Sequence, residues 1–449
     1  MGEQRMNSNE SRASFQTFAR LVRGYLQVVN VFGLMLCACG SGQDISQHDT
    51  GERERALDGA IVLNWNLTAV QTWQTTSTSG LGQSRGARMI AMMHIAMADV
   101  MATLSHDYRP YGPKIDSHGS TDPYAAVAMA AYGVLVRLVP AQKAQLDIAL
   151  ANSLAGIRDG KRKERGIELG HAAAAQIVQL RSTDNSDRPQ MTYTPPVGLG
   201  YWQPDSRTGP SPFLSWTFVT PFVLTSAHQF RPVSPPDIFG DLFSRDLAEL
   251  KEIGGTTSIV RTVEQTNMAK WATESSVAQY NKFARVVAAA KPKDLATTAR
   301  AFALSSIAYA DALLSGLDAK FAYNLWRPWT AIHNAGELGH PEMEDTAWQS
   351  LIAAPPHPEY TANHAIQSGA VVTALRSVYG ETFSSSITVT STVTPDFSPT
   401  YSSLSQFQQL WGLARIYGGI HYRHSVELGW AQGESVGQWV IKNAYRRFP

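Results

Sequence analysis

Cysteine is almost absent: the 449 residues include two, Cys37 and Cys39. A disulfide framework is excluded for the body of the chain, whose stability has to come from packing. An excess of charge of one sign is also missing. Lys+Arg 38 stand against Asp+Glu 37, a formal net charge of +1, with no long run of either sign. Neither a nucleic-acid footprint nor a polybasic membrane patch is written into such a chain, and a small-molecule substrate is expected. No internal repeat with a period of about 20 to 50 residues recurs, which argues against a solenoid.

What is present is apolar material, 44% of the residues, enough for one large helical body or two subdomains. Near the start, "VVNVFGLMLCACGSGQD" follows Arg20 and Arg23. Its apolar run is about a dozen residues, too short to span a bilayer as a helix and suited to the core of a signal peptide. "LCACG" resembles a bacterial lipobox with Cys39 as the lipidated residue. Residues 1–38 then form a leader, and the mature protein is expected to be exported, either held at the bacterial cell envelope by a lipid anchor or secreted. A buried or disordered tail is the competing reading.

Two regions follow, 55–275 as an N-terminal helical region and 276–449 as a C-terminal helical bundle. In "STDPYAAVAMAAYGVLVRLVP", Asp122 is placed to cap and Pro123 to open a helix whose apolar residues recur every three or four positions. Four more alanine- or leucine-rich segments read the same way before residue 255. Further helices are expected over 259–273, 276–290, 294–325 and 425–444. Arg188 to Phe222 is rich in proline, glycine and aromatics and must run as a long ordered loop. "SSSITVTSTVTPDFSP" is β-prone and reads as an extended excursion between helices. Gly429, Gly433 and Gly437 recur every fourth residue in a helix that also carries Gln432, Glu434 and Gln438, which suits a soluble helix packed closely on a neighbour. His94, in an apolar helix, reads as a core histidine. His424, with Arg423, reads as a surface residue at a helix start, a place at the rim of a site being the alternative.

Three segments carry chemistry. In "DAKFAYNLWRPW", Lys320 and Arg327 are seven residues apart, which on one helix would share a face, in largely apolar company. Two cations there need an anion to offset their desolvation; a solvated basic edge is the alternative. "PPHPEYTANHA" carries His357 on a loop and His364 at the first turn of a helix, where free backbone amides and the dipole favour an anion. In "LARIYGGIHYRHS", Gly418 and Gly419 let the chain turn between Arg415 and His421 so that both can converge. Together these residues suit a pocket for a tetrahedral oxyanion.

The set resembles the vanadium-dependent haloperoxidases and the type-2 phosphatidic acid phosphatase superfamily that shares their site. The family pattern is Lys-x6-Arg-Pro, then Pro-Ser-Gly-His, then Arg-x5-His. The first stands here as Lys320 to Arg327-Pro328 and the third as Arg415 to His421. In the second, Thr361, Ala362 and Asn363 replace Pro-Ser-Gly ahead of His364. The resemblance implies an all-α helical bundle in which His421 binds the metal of a vanadate cofactor and His364 is the acid-base residue. Lys320, Arg327, Asn363 and Arg415 would bind the oxyanion, Lys320 also assisting catalysis. His357 falls at a position that is a histidine in bromide-oxidising algal members and an aromatic in a chloride-oxidising fungal one, and is expected at the rim where halide or peroxide arrives.

The implied function is oxidation of bromide or iodide by hydrogen peroxide at vanadate held by His421. Phosphate is the competing occupant, and the alternative is an acid phosphatase acting through a phosphohistidine at His421. A non-catalytic envelope lipoprotein on the same fold is the third reading. Ala362 removes a hydroxyl donor to the anion, worth about 1.5 to 3 kcal/mol for a hydrogen bond to a charged group, so weaker retention of vanadate is expected.

Overall fold

A computed structural model describes residues 58–76, 82–204 and 210–448, all within one compact unit, Glu54–Pro449. The expected leader, residues 1–38, and Cys39 lie outside the described residues. The first half builds α1 (Ala60–Thr76), α2 (Gly82–Ser105), α3 (Pro123–Leu138), α4 (Lys143–Ala155) and α5 (Lys161–Leu180). Asp122 caps α3 by accepting from the Ala125 amide, with Pro123 in the first turn, as its sequence predicts. α2 is long and apolar enough to cross a membrane by composition, but 89% of its apolar window is buried inside the protein, where it serves as a core helix. His94 on α2 is fully buried and bonds through Nε2 to Asn66 at 2.8 Å, a core histidine as expected.

Next come α6 (Asp241–Ile253), α7 (Val263–Trp271), α8 (Ser276–Ala290), α9 (Leu295–Tyr323), the short α10 (Pro328–His333) and α11 (Asn363–Tyr379). The β-prone excursion forms a small antiparallel pair, β1 (Thr382–Thr388) with β2 (Thr400–Ser403), Ile387 opposite Tyr401. α12 (Leu404–Tyr417) and α13 (Arg423–Asn443) close the chain. The architecture is a mostly helical bundle, as the sequence leads one to expect.

Two features of this bundle position the site. α9 is the central helix, packed against α2, α11 and α13. Described parts of the Pro/Gly-rich region pack along it: the Trp202 amide donates to the Asn324 carbonyl, the Trp326 amide to the Gly200 carbonyl, and buried Asp311 of α9 accepts the amides of Phe222, Val223 and Leu224. The second feature is the glycine seam. α13 lies on α11 so closely that a Cβ on Gly433 would meet the Ile366 carbonyl oxygen at 2.0 Å, and one on Gly437 the Ala370 oxygen at 2.8 Å. The close packing on a neighbour foreseen from the glycine spacing is what the fold contains.

Candidate active site

The first segment departs from the expected helix. α9 stops at Tyr323 because Asn324 takes the left-handed conformation (φ 53°), and Arg327 sits extended at the N-cap of α10, ahead of Pro328. Lys320 and Arg327 therefore do not share a helical face. They converge instead by gripping one loop from two sides. Lys320 Nζ donates to the carbonyls of Glu359 (2.7 Å) and Thr361 (2.6 Å); Arg327 Nε donates to the His357 carbonyl (3.1 Å) and Nη2 approaches His357 Nδ1 (3.0 Å). Both cations are buried, Lys320 completely.

That loop, 355–362, enters α11 with Ala362 as N-cap and no side-chain cap. Thr361 points away from any anion, its hydroxyl donating to Gln432 Oε1 at 2.6 Å. The Asn363 side-chain oxygen lies over Gly316, where a Cβ would approach it to 2.4 Å, and has no hydrogen-bond partner although buried. The His364 ring is half-buried and stacks on Trp411, centroids 6.0 Å apart, while its carbonyl accepts from the Tyr280 hydroxyl. His357 is buried rather than at a wet edge, with its ring edge-on to Phe213.

In the third segment α12 ends at Tyr417, and Gly419 (φ 75°) turns the chain. Here glycine is required twice over: a Cβ on Gly419 would stand 2.3 Å from the Gly254 carbonyl oxygen, and Gly254 meets Gly419 in return. The turn delivers His421 to the loop. His421 Nδ1 lies 2.6 Å from Glu359 Oε1, and Nε2 lies 3.3 Å from Arg327 Nη1. Arg415 commits Nη1 to the Ala272 carbonyl, 3.0 Å, and its buried Nε has no partner.

These groups form one electrostatic unit. Burial holds Lys320 well below its ordinary value, aided by the positive charge of Arg327. Burial lowers Arg327 and Arg415 to about 10 each. His421 and His364 are pushed well below 6.5 by burial first and then by the surrounding cations, so both rings are neutral near pH 7. Glu359 is raised by burial, against the pull of Lys320. Among the described residues no group of three or more His, Cys, Asp or Glu is arranged to hold a bare metal cation. The donors are cationic and imidazole groups, a set that suits an oxyanion.

Two charged pairs escape a motif-based reading. Glu359 is one; its only sequence signal is a carboxylate lodged between two histidines in an apolar, proline-rich stretch. The other corrects the surface role expected of His424. Its ring is buried, with Nδ1 2.6 Å from Asp246 Oδ2, stacked on Tyr422, because α6 packs over the start of α13 and supplies the carboxylate.

Ala362→Ser tests the missing hydroxyl. If the serine reaches the anion, oxyanion affinity should rise about tenfold, matching a regained charge-assisted bond of roughly 1.5 kcal/mol. If it caps α11 instead, thermal stability should rise by about 1 kcal/mol with affinity unchanged. Isothermal titration and thermal unfolding on the same variant separate the two.

Residues 300–448 match a family model described as the VCPO second helical-bundle domain. Vanadium chloroperoxidase from Curvularia inaequalis is 25% identical over 404 residues, covering 71% of this chain; this chain spans 65% of that protein's length. Among solved structures, a bacterial vanadium-dependent iodoperoxidase superposes with a TM-score of 0.70 at 24% identity, over 90% of this chain and 99% of that one. A bacterial vanadium-dependent chloroperoxidase in its holo form gives 0.65 at 16% identity, over 82% and 93%. At these identities the superpositions show a common fold.

Proposed function

We propose, from the match of residues 300–448 to the VCPO second helical-bundle model and from the fold shared with bacterial vanadium haloperoxidases, that this chain is a vanadium haloperoxidase that oxidises bromide or iodide with hydrogen peroxide, using vanadate held at His421. The observation that carries this reading is a charge imbalance: Lys320, Arg327 and Arg415 are all buried, and Glu359 is the buried carboxylate beside Lys320 and Arg327. A tetrahedral anion of charge near −2 restores the balance.

The residues fit vanadate. His421 Nε2 offers a lone pair, since its ring is neutral and its other nitrogen is engaged by Glu359. Arg415 keeps Nε uncommitted, and Lys320, having spent two N–H donors on carbonyls, retains a third. These three cations would hold the oxygens, and the half-buried His364 ring would hold or move a proton at one of them. When bound, vanadate supplies a Lewis acid that activates hydrogen peroxide toward halide attack. The leader-like segment and Cys39 support an exported, envelope-anchored enzyme.

The test is halogenation of a dye by purified protein with bromide or iodide and hydrogen peroxide, with and without added vanadate, beside hydrolysis of a generic phosphate ester. Vanadate-dependent halogenation is expected. Phosphate release without halogenation would replace the proposal by a phosphatase using the same pocket through a phosphohistidine. Silence in both assays would leave a non-catalytic scaffold.

Anion binding should also take up protons. His421 and His364 have pKa values lowered by burial and by neighbouring cations, and an incoming anion raises them. Affinity for sulfate, a tetrahedral dianion that does not titrate near neutrality, should therefore climb as pH falls from 8 to 6. Calorimetry in buffers of differing ionisation enthalpy measures the uptake; proton release would contradict the charge assignment.

A further inference from the structure

A neutral imidazole has two tautomers, and only one leaves Nε2 able to bind an electrophile. The surroundings of His421 choose between them from both sides. On one side Glu359 Oε1 stands 2.6 Å from Nδ1; on the other Arg327 Nη1, which can only donate, stands 3.3 Å from Nε2. A proton on Nε2 would face the guanidinium N–H and leave Nδ1 lone pair against carboxylate oxygen. A proton on Nδ1 satisfies both contacts.

Glu359 is itself held at four points. Its amide donates to the Leu325 carbonyl (2.8 Å), its carbonyl accepts from Lys320 Nζ (2.7 Å), and Oε1 also accepts from the Tyr422 amide (3.1 Å). It is fully buried. One residue thus joins the end of α9, the loop before α11 and the turn carrying His421. Such a carboxylate cannot swing away, and the imidazole it holds is fixed in rotation as well as in protonation.

We infer that Glu359 is the positioning residue of this site: it takes the Nδ1 hydrogen of His421 as its hydrogen-bond partner and so keeps Nε2 unprotonated and aimed at the oxyanion. The inference rests on the reading of His421 as the anion's ligand, though the tautomer can be measured without any anion.

Two-bond proton–nitrogen correlation spectra of the full chain, with the His421 signals assigned by their loss in His421→Gln, report the tautomer directly. The expected pattern has hydrogen on Nδ1 and a lone pair on Nε2. Hydrogen on Nε2 would overturn the inference, and this measurement needs no Glu359 variant to fold. Glu359→Gln retains an acceptor oxygen and should bind vanadate within about threefold of the wild type or tighter. Glu359→Ala loses the acceptor and should bind ten- to a hundredfold more weakly, the usual cost of removing a ligand's outer partner, with a mixed tautomer. Equal affinity in the alanine variant and the wild type, or equally weak binding by both variants, would count against it. Wild-type protein that shows the Nδ1 hydrogen but binds neither vanadate nor phosphate would leave Glu359 orienting His421 and instead overturn the role given to His421.

Discussion

His421→Ala is expected to reduce halogenation at least a thousandfold, equivalent to about 4 kcal/mol of transition-state stabilisation, and to abolish retention of vanadate through dialysis. The ring is a buried neutral imidazole beside three cations, with Nε2 able to act as a ligand; the arginines and the lysine can attract an oxyanion but cannot bind its central atom. The truncation has a second effect that must be separated from the first. Removing the imidazole leaves the Glu359 carboxylate buried with only the Tyr422 amide on Oε1, and breaking such a buried pair costs about 3 to 5 kcal/mol of stability. His421→Gln keeps a polar group in contact with Glu359 and should lose activity to the same extent while unfolding nearer the wild type. Steady-state halogenation and denaturant unfolding on both variants make the distinction. Undiminished activity in either one would mean that His421 is not the ligand.

Gly433→Ala should be the most damaging single methyl addition in the seam between α11 and α13. The new Cβ would stand 2.0 Å from the Ile366 carbonyl oxygen, 2.8 Å from its carbon and 3.0 Å from the Ala370 amide nitrogen, all backbone of α11. No rotamer change relieves a clash with backbone, so the two helices must separate. Overpacking of a core costs typically 1 to 3 kcal/mol; here, with a backbone-only partner, about 3 kcal/mol or more is expected. The expected ranking is Gly433→Ala worse than Gly437→Ala, whose contacts include the movable side chain of Thr373, and worse than Gly429→Ala, whose nearest atom is the Ala365 methyl at 2.9 Å. Because α11 carries His364 and α13 begins two residues after His421, the folded fraction should also bind oxyanion more weakly. Unfolding midpoints for the three variants test the order, and a Gly433→Ala protein as stable as the wild type would mean that the helices lie farther apart than described.

Much of this fold is written in local pattern. Alanine-rich periodicity gives the helices, Asp122 and Pro123 mark one start, and the four-residue glycine spacing announces the seam between α11 and α13. The five basic positions Lys320, Arg327, His364, Arg415 and His421 are visible in sequence because each lies in a short motif with fixed spacing. What escapes is decided by contacts far apart in the chain. Asn324 ends α9 two residues before the expected boundary, where side-chain bonding to Tyr193, 131 residues away, holds it in a left-handed turn. Glu359 and Asp246 become partners of histidines only when loop and helix close over them, across 62 and 178 residues. Spacing along a helix predicts a shared face; it says nothing about which carbonyls a lysine will meet.

The family model begins at residue 300, yet the pocket does not. The turn that presents His421 is seated on Gly254, Arg415 is tethered to Ala272, and Phe213 braces His357. A gene segment encoding only the last third of the chain would therefore inherit every motif residue and lose the wall behind them. On its own, that segment would lack the backbone carbonyl that holds the arginine and the bare α-carbon on which the turn is seated.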